Sequence, residues 1–64
     1  MTTVLKLPRF QIRLAHDGKW FWRLIAANGE VLGHSEGYES KEMCRKGTRA
    51  ARVAVISART EVVE

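Results

Sequence analysis

The stretch Asp17-Gly18-Lys19-Trp20-Phe21-Trp22-Arg23-Leu24-Ile25-Ala26-Ala27-Asn28-Gly29 decides the fold of this chain. Residues Trp20 to Ala27 have strand propensity and stand between two turn signals. Trp20, Trp22, Leu24 and Ala26 fall on one face of an extended segment; Phe21, Arg23, Ile25 and Ala27 fall on the other. Asp-Gly and Asn-Gly are hairpin chemistry, because glycine takes positive φ without steric cost, and Asn28-Gly29 predicts a type I′ turn. Upstream, Phe10, Ile12 and Leu14 alternate with Gln11 and Arg13, which gives a first strand beginning at Arg9. Downstream, Glu30 to Ser35 gives a third, with Gly33 expected at a bulge or a close approach. Three strands joined by two tight turns make an antiparallel meander.

The pattern then changes period. Ser40 is placed as a helix N-cap, and Glu42 in the first turn suits the positive end of the helix dipole. From Lys41 to about Ala58 the small and apolar residues Met43, Cys44, Gly47, Ala50, Ala51, Ala54, Val55 and Ala58 share one side. Lys41, Arg45, Lys46, Arg49, Arg52 and Arg59 populate the other, together with Val53 and Ile56, which need cover from outside the helix's own sheet. The tail Thr60-Glu61-Val62-Val63 has strand propensity and no partner within a meander and one helix. The expected fold is therefore α+β, in the order β-β-β-α-β: residues 1–8 are a flexible leader and residues 9–64 a single domain.

Sixty-four residues with a net charge of +4 leave little room for a self-sufficient core, since a chain this short buries only about 60% of its unfolded surface. Such domains add disulfides, a metal or a partner subunit. A lone cysteine, Cys44, rules out an intrachain disulfide. Cys44, His16 and His34 fall short of the four Cys/His ligands of a structural zinc site. Self-association is what remains, and the uncovered Val53 and Ile56 and the unpaired tail point the same way. Without pairable cysteines, a signal peptide or a long apolar run, the chain reads as cytoplasmic, with no membrane partner.

The pieces Asp17-Gly18-x-Trp20-x-Trp22-Arg23-Leu24-x-Ala26-x-Asn28-Gly29-Glu30-Val31 and Ser35-Glu36-Gly37-Tyr38-x-Ser40-Lys41, with Phe10, Ile12 and Gly47, resemble the YegP-like family of small prokaryotic domains. The likeness runs over about residues 9–55. It implies a β-β-β-α-β unit whose C-terminal strand is exchanged with a second unit, here a second copy of the chain. It implies no catalytic residues and no cofactor, because no activity is assigned to the family. Cys44, where the family usually has alanine, and the basic helix depart from its pattern.

Several residues invite functional readings. Arg45, Lys46, Arg49 and Arg52 lie along one helix side and could follow phosphates, or could simply face water. The aromatics Trp20, Phe21, Trp22 and Tyr38 could stack bases, although tryptophans in register with Leu24 suit packing beneath the helix. Cys44 sits on the small-residue face, where a core role is expected, and His16 and His34 suggest turn and surface roles. Gly33-His34-Ser35-Glu36-Gly37 lacks the lysine and helix context of a phosphate loop. The function expected is a dimeric interaction or structural module, not an enzyme, with Phe21, Val53, Ile56, Val62 and Val63 as dimer contacts. The alternative is nucleic-acid binding through Arg45, Lys46, Arg49 and Arg52.

Overall fold

The computed structural model describes residues 7–64. Of the expected leader, residues 1–6 lie outside that range; Leu7 and Pro8 run into the first strand without regular structure. The elements follow in the order β1 (Arg9–Leu14), β2 (Trp20–Ile25), β3 (Val31–His34) and α1 (Lys41–Ser57). The sheet is antiparallel with β2 in the middle.

One device makes both hairpins. At the first, Gly18 N–H donates to the Ala15 carbonyl at 3.0 Å and Ala15 N–H to the Lys19 carbonyl at 2.8 Å. Asp17 Oδ1 accepts from Lys19 N–H at 2.9 Å. The second repeats this: Gly29 donates to Ala26 at 2.9 Å, Ala26 to Glu30 at 2.8 Å, and Asn28 Oδ1 accepts from Glu30 N–H at 3.0 Å. Gly18 and Gly29 have φ of 85° and 91°, and no other described residue has positive φ. The type I′ turn expected at Asn28-Gly29 is thus corrected, since it needs positive φ at both central residues. The loop is a three-residue turn closed by a left-handed glycine.

Register places Ile12 opposite Trp22, Phe10 opposite Leu24 and Leu14 opposite Trp20, so these six share a face. Phe10 and Trp22 meet edge to face at 5.2 Å between ring centres. The second strand ends at Ile25, short of Ala27, because the next turn begins at Ala26. Between Leu24 and Ile25 the pairing with β3 slips: Gly33 faces Leu24 and Val31 faces Ile25, leaving Leu32 as the extra residue. The bulge expected at Gly33 lies one residue earlier, and a side chain at Gly33 would meet open space.

At Ser35 the pairing with β2 becomes part backbone and part side chain: Ser35 N–H still donates to the Trp22 carbonyl at 2.9 Å. Ser35 Oγ accepts from Trp22 N–H at 3.0 Å, and Trp20 and Tyr38 exchange backbone hydrogen bonds of 2.9 and 2.6 Å. Ser40 then caps α1, its Oγ accepting from Met43 N–H at 3.1 Å. Gly47 is required by what Tyr38 does: a Cβ there would overlap the Tyr38 hydroxyl and lie 2.7 Å from its ring carbon Cζ.

The helix packs on β1 and β2 with Cys44 fully buried, Thr48 buried, and Gly47 and Ala51 half-buried. This corrects the face read from sequence. Met43, Ala50, Ala54, Val55 and Ala58 are exposed, whereas Thr48, placed with neither set, is in the interface. Its hydroxyl donates to the Arg45 carbonyl at 2.7 Å, so it enters the core without an unpaired donor. After Ala51 the helix carries no buried residue, and residues 58–64, where a fifth element was expected as a strand, pair with no described strand.

Candidate interaction surfaces

The residues shared with the recognised motif are spent on the fold. Asp17 and Asn28 close turns, Trp22 packs on Phe10, Ser35 replaces a ladder acceptor, Tyr38 seats against Gly47, and Ser40 caps the helix. Sites must be sought on what they leave exposed. Cys44 is buried, and burial pushes its thiol above the ordinary value of 9.0. That is the reverse of what a nucleophilic cysteine needs. His16 belongs to the first hairpin loop and is exposed. His34 ends β3, with Nδ1 3.3 Å from the Ser35 carbonyl oxygen. Among the described residues no group of three or more His, Cys, Asp or Glu is positioned to share a metal ion.

Three surfaces remain. The first is the C-terminal stretch of the chain: Val53 (65% exposed), Ile56 (79%), Val62 (78%) and Val63 (82%), the candidate dimer contacts other than Phe21, with exposed Val55 among them. Beside the β1 edge lies an open groove of about 570 Å³, floored by Phe10, Ile12 and Leu24 and walled by Thr48 and Arg52 of the helix. Among the described residues only Ile25 and Cys44 are apolar and buried, so most apolar side chains large enough to form a core still face water. The radius of gyration, 14.0 Å, exceeds the roughly 11 Å of a compact domain of this length.

The second surface is the basic helix side. Arg45, Lys46 and Arg49 are exposed, while Arg52 also walls the groove, so the expected stripe is divided between two surroundings. The one ion pair among the described residues joins Lys19 to Glu39 at 3.6 Å, which leaves the stripe without a carboxylate partner.

The third is the sheet face turned away from the helix. Arg13 stands opposite Phe21, and Arg23 stands between Gln11 on β1 and His34 on β3. The Arg23 guanidinium lies over the Phe21 ring at 5.6 Å. The sequence reading isolated Phe21 and Arg23 but not this grouping. The signal was available: Asp17, Glu30, Glu36, Glu39, Glu42, Glu61 and Glu64 all fall outside the strands.

Similarity to known proteins accords with this division between a specified fold and unassigned surfaces. The family described as Domain of unknown function (DUF1508) matches residues 15–61. A UPF0339 protein of Methanosarcina acetivorans is 36% identical over 58 residues, covering 91% of this chain and 100% of the relative. A UPF0339 protein of Treponema denticola is 41% identical over 44 residues, covering 69% and 76%. The NMR solution structure of a protein from Haloferax volcanii matches with a TM-score of 0.78 at 25% identity, covering 92% of this chain and 100% of that one. The chain belongs to the DUF1508 family, the YegP-like UPF0339 proteins, to which no function is assigned.

Proposed function

We propose that this chain works as a homodimeric binding module rather than a catalyst, each copy laying residues 58–64 along the β1 edge of the other. The observation that carries this is the inverted distribution of apolar surface: Val53, Val55, Ile56, Val62 and Val63 are all more than half exposed around a core that is barely closed. Burial of such surface is worth about 25 cal/mol per Å², and a second copy is the partner always present at matching concentration. Among the described residues β1 is an edge strand, and such an edge presents backbone donors and acceptors that an added strand would satisfy. The groove beside it offers an apolar floor for valines, and Arg52 on its wall complements Glu61 and Glu64 of an incoming tail. A single buried cysteine with no second one to pair with suits a reducing, cytoplasmic setting.

Sedimentation equilibrium at micromolar concentration tests the reading. Twice the chain mass of 7.3 kDa is expected. Truncation after Ala58 should yield an unstable or aggregating chain. A well-folded monomer, from either the full or the truncated chain, would overturn the exchange.

The second reading is nucleic-acid binding through the helix, favoured by the exposed and unpaired Arg45, Lys46 and Arg49. Gel shifts at low salt with the unmodified chain and with Arg45→Glu/Arg49→Glu decide it: the reversal should abolish the shift. A shift that survives it would remove the helix from the reading.

A further inference from the structure

We infer that the sheet face opposite the helix is a binding platform for single-stranded nucleic acid, built from Phe21, Arg13, Arg23 and His34. The inference concerns a different surface from the helix stripe and does not depend on tail exchange.

Geometry supplies the first argument. In an antiparallel sheet, directly opposed residues lie about 4.5–5.5 Å apart and diagonal neighbours about 7–8 Å. Arg23 is opposed by Gln11 on one side and His34 on the other, and is diagonal to both Arg9 and Arg13. Three arginines therefore crowd one face, with no acidic residue in any strand to offset them. At that diagonal spacing the like charges repel across an empty sheet, though less than directly opposed ones would. They become favourable when an anionic chain lies across them, because guanidinium groups present paired donors to phosphate oxygens. Arg13 and His34 are exposed, and the Gln11 amide oxygen, 3.4 Å from an Arg13 guanidinium nitrogen, helps to hold that side chain over the sheet.

Stacking supplies the second and selects the ligand. A phosphate-rich polymer without bases would use the arginines alone. Here the platform also holds Phe21, half-buried and paired with the Arg23 guanidinium at 5.6 Å. An aromatic ring with a planar cation over it offers flat, apolar and positive surface together, which suits an unpaired base and its phosphate. Duplex DNA hides its base faces and gains nothing from Phe21. The face is polar where phosphate would run and aromatic where a base would lie.

The test measures fluorescence anisotropy of a labelled oligouridylate with the full-length protein between 50 and 200 mM salt. Three phosphate contacts predict a slope of log affinity on log salt of about −2, at about −0.7 per contact for single strands. Arg13→Gln and Arg23→Gln should each flatten that slope. Phe21→Leu, which keeps most of the apolar volume, should weaken the oligouridylate about fivefold or more and leave binding of inorganic polyphosphate unchanged. Circular dichroism and sedimentation of each variant should match the unmodified chain, because on this reading Phe21 serves the platform and not the dimer contact expected of it from sequence. Absence of binding at 50 mM salt would overturn the inference. So would equal loss of polyphosphate and oligouridylate in Phe21→Leu, a preference for duplex, or a loss confined to Arg45→Glu/Arg49→Glu.

Discussion

The two halves of the single helix behave as if they belonged to different proteins. From Lys41 to Ala51 nearly every turn has a local assignment: Ser40 caps it, Lys41 lies over the Trp20 ring at 5.6 Å, Cys44 and Thr48 are buried, and Gly47 admits Tyr38. From Arg52 to Ser57 the same helix continues with Val53, Val55 and Ile56 turned to water, and its end is closed only by Ala58 N–H donating to the Val55 carbonyl at 3.3 Å, among the described residues. No basic residue occupies the last turn, and Ala58 at the C-cap is extended, with Arg59 following it where a left-handed glycine is common. A helix whose apolar residues outlast its sheet either frays or is finished by another molecule. The first half folds against its own chain; the second half is exposed along its whole length.

The largest expected effect is a change that attacks the self-contained half. Gly47→Leu should destabilise the domain by about 1–3 kcal/mol or more, because even its Cβ overlaps the Tyr38 ring. Chemical denaturation at several protein concentrations measures it, and the loss should be the same at each. The cost should shrink when Tyr38→Ala is combined with it, since the two residues share one space. Additive losses would mean that the helix is held by some other contact.

The exposed half, which the proposed dimer would cover, should respond differently. Ile56→Asp removes exposed apolar surface, so it should leave the strands intact and lower the apparent stability only where the chain is otherwise dimeric. Denaturation midpoints that rise with concentration for the unmodified chain, and stay flat for the variant, are the expected pair. A midpoint independent of concentration in both would place Ile56 in no interface.

A smaller loss is expected at Ser35→Ala. Its hydroxyl accepts the Trp22 amide proton, which no ladder carbonyl would then satisfy. Trp22 and Ser35 are only half-buried, so the orphaned donor should cost about 1 kcal/mol, the low end for such a loss. Hydrogen exchange of the Trp22 amide should accelerate first, ahead of the global transition. Unchanged protection would show that water reaches this amide without difficulty.

How much of this could be read from residues alone follows the same boundary. The meander was legible because Asp17-Gly18 and Asn28-Gly29 bracket an alternating run, and turn chemistry is local. The turn type was not, since an Asn-Gly pair fits both a two-residue loop and the end of a three-residue one, and only the register of Ala26 with Glu30 separates them. The N-cap was legible for the same local reason. The helix phase was not: alanine, glycine and valine are spread round the helix, so apolar periodicity points weakly. A buried Thr48 that bonds its own backbone carries no apolar signal. The sheet-face cluster depends on which residues stand opposite across strands, which no single strand displays.

The smallest effect concerns Cys44 and gives the packed half a pH signature. Burial favours the neutral thiol and raises its pKa above 9.0 in the folded chain, while the unfolded chain keeps the ordinary value. A group shifted upward by folding stabilises fully below its unfolded pKa and loses that contribution as pH rises through the folded one. The unmodified chain should therefore weaken between neutral pH and pH values above 9.0, beyond any loss shared with a variant lacking the thiol. Cys44→Ala, which keeps a small apolar side chain at the site, should be modestly less stable at pH 7 through lost packing, and its midpoint should fall less steeply into alkali. Urea denaturation of both chains across that range gives the difference directly. A constant difference at every pH would mean that the thiolate is accommodated, and that the tightest contact between helix and sheet opens readily to water.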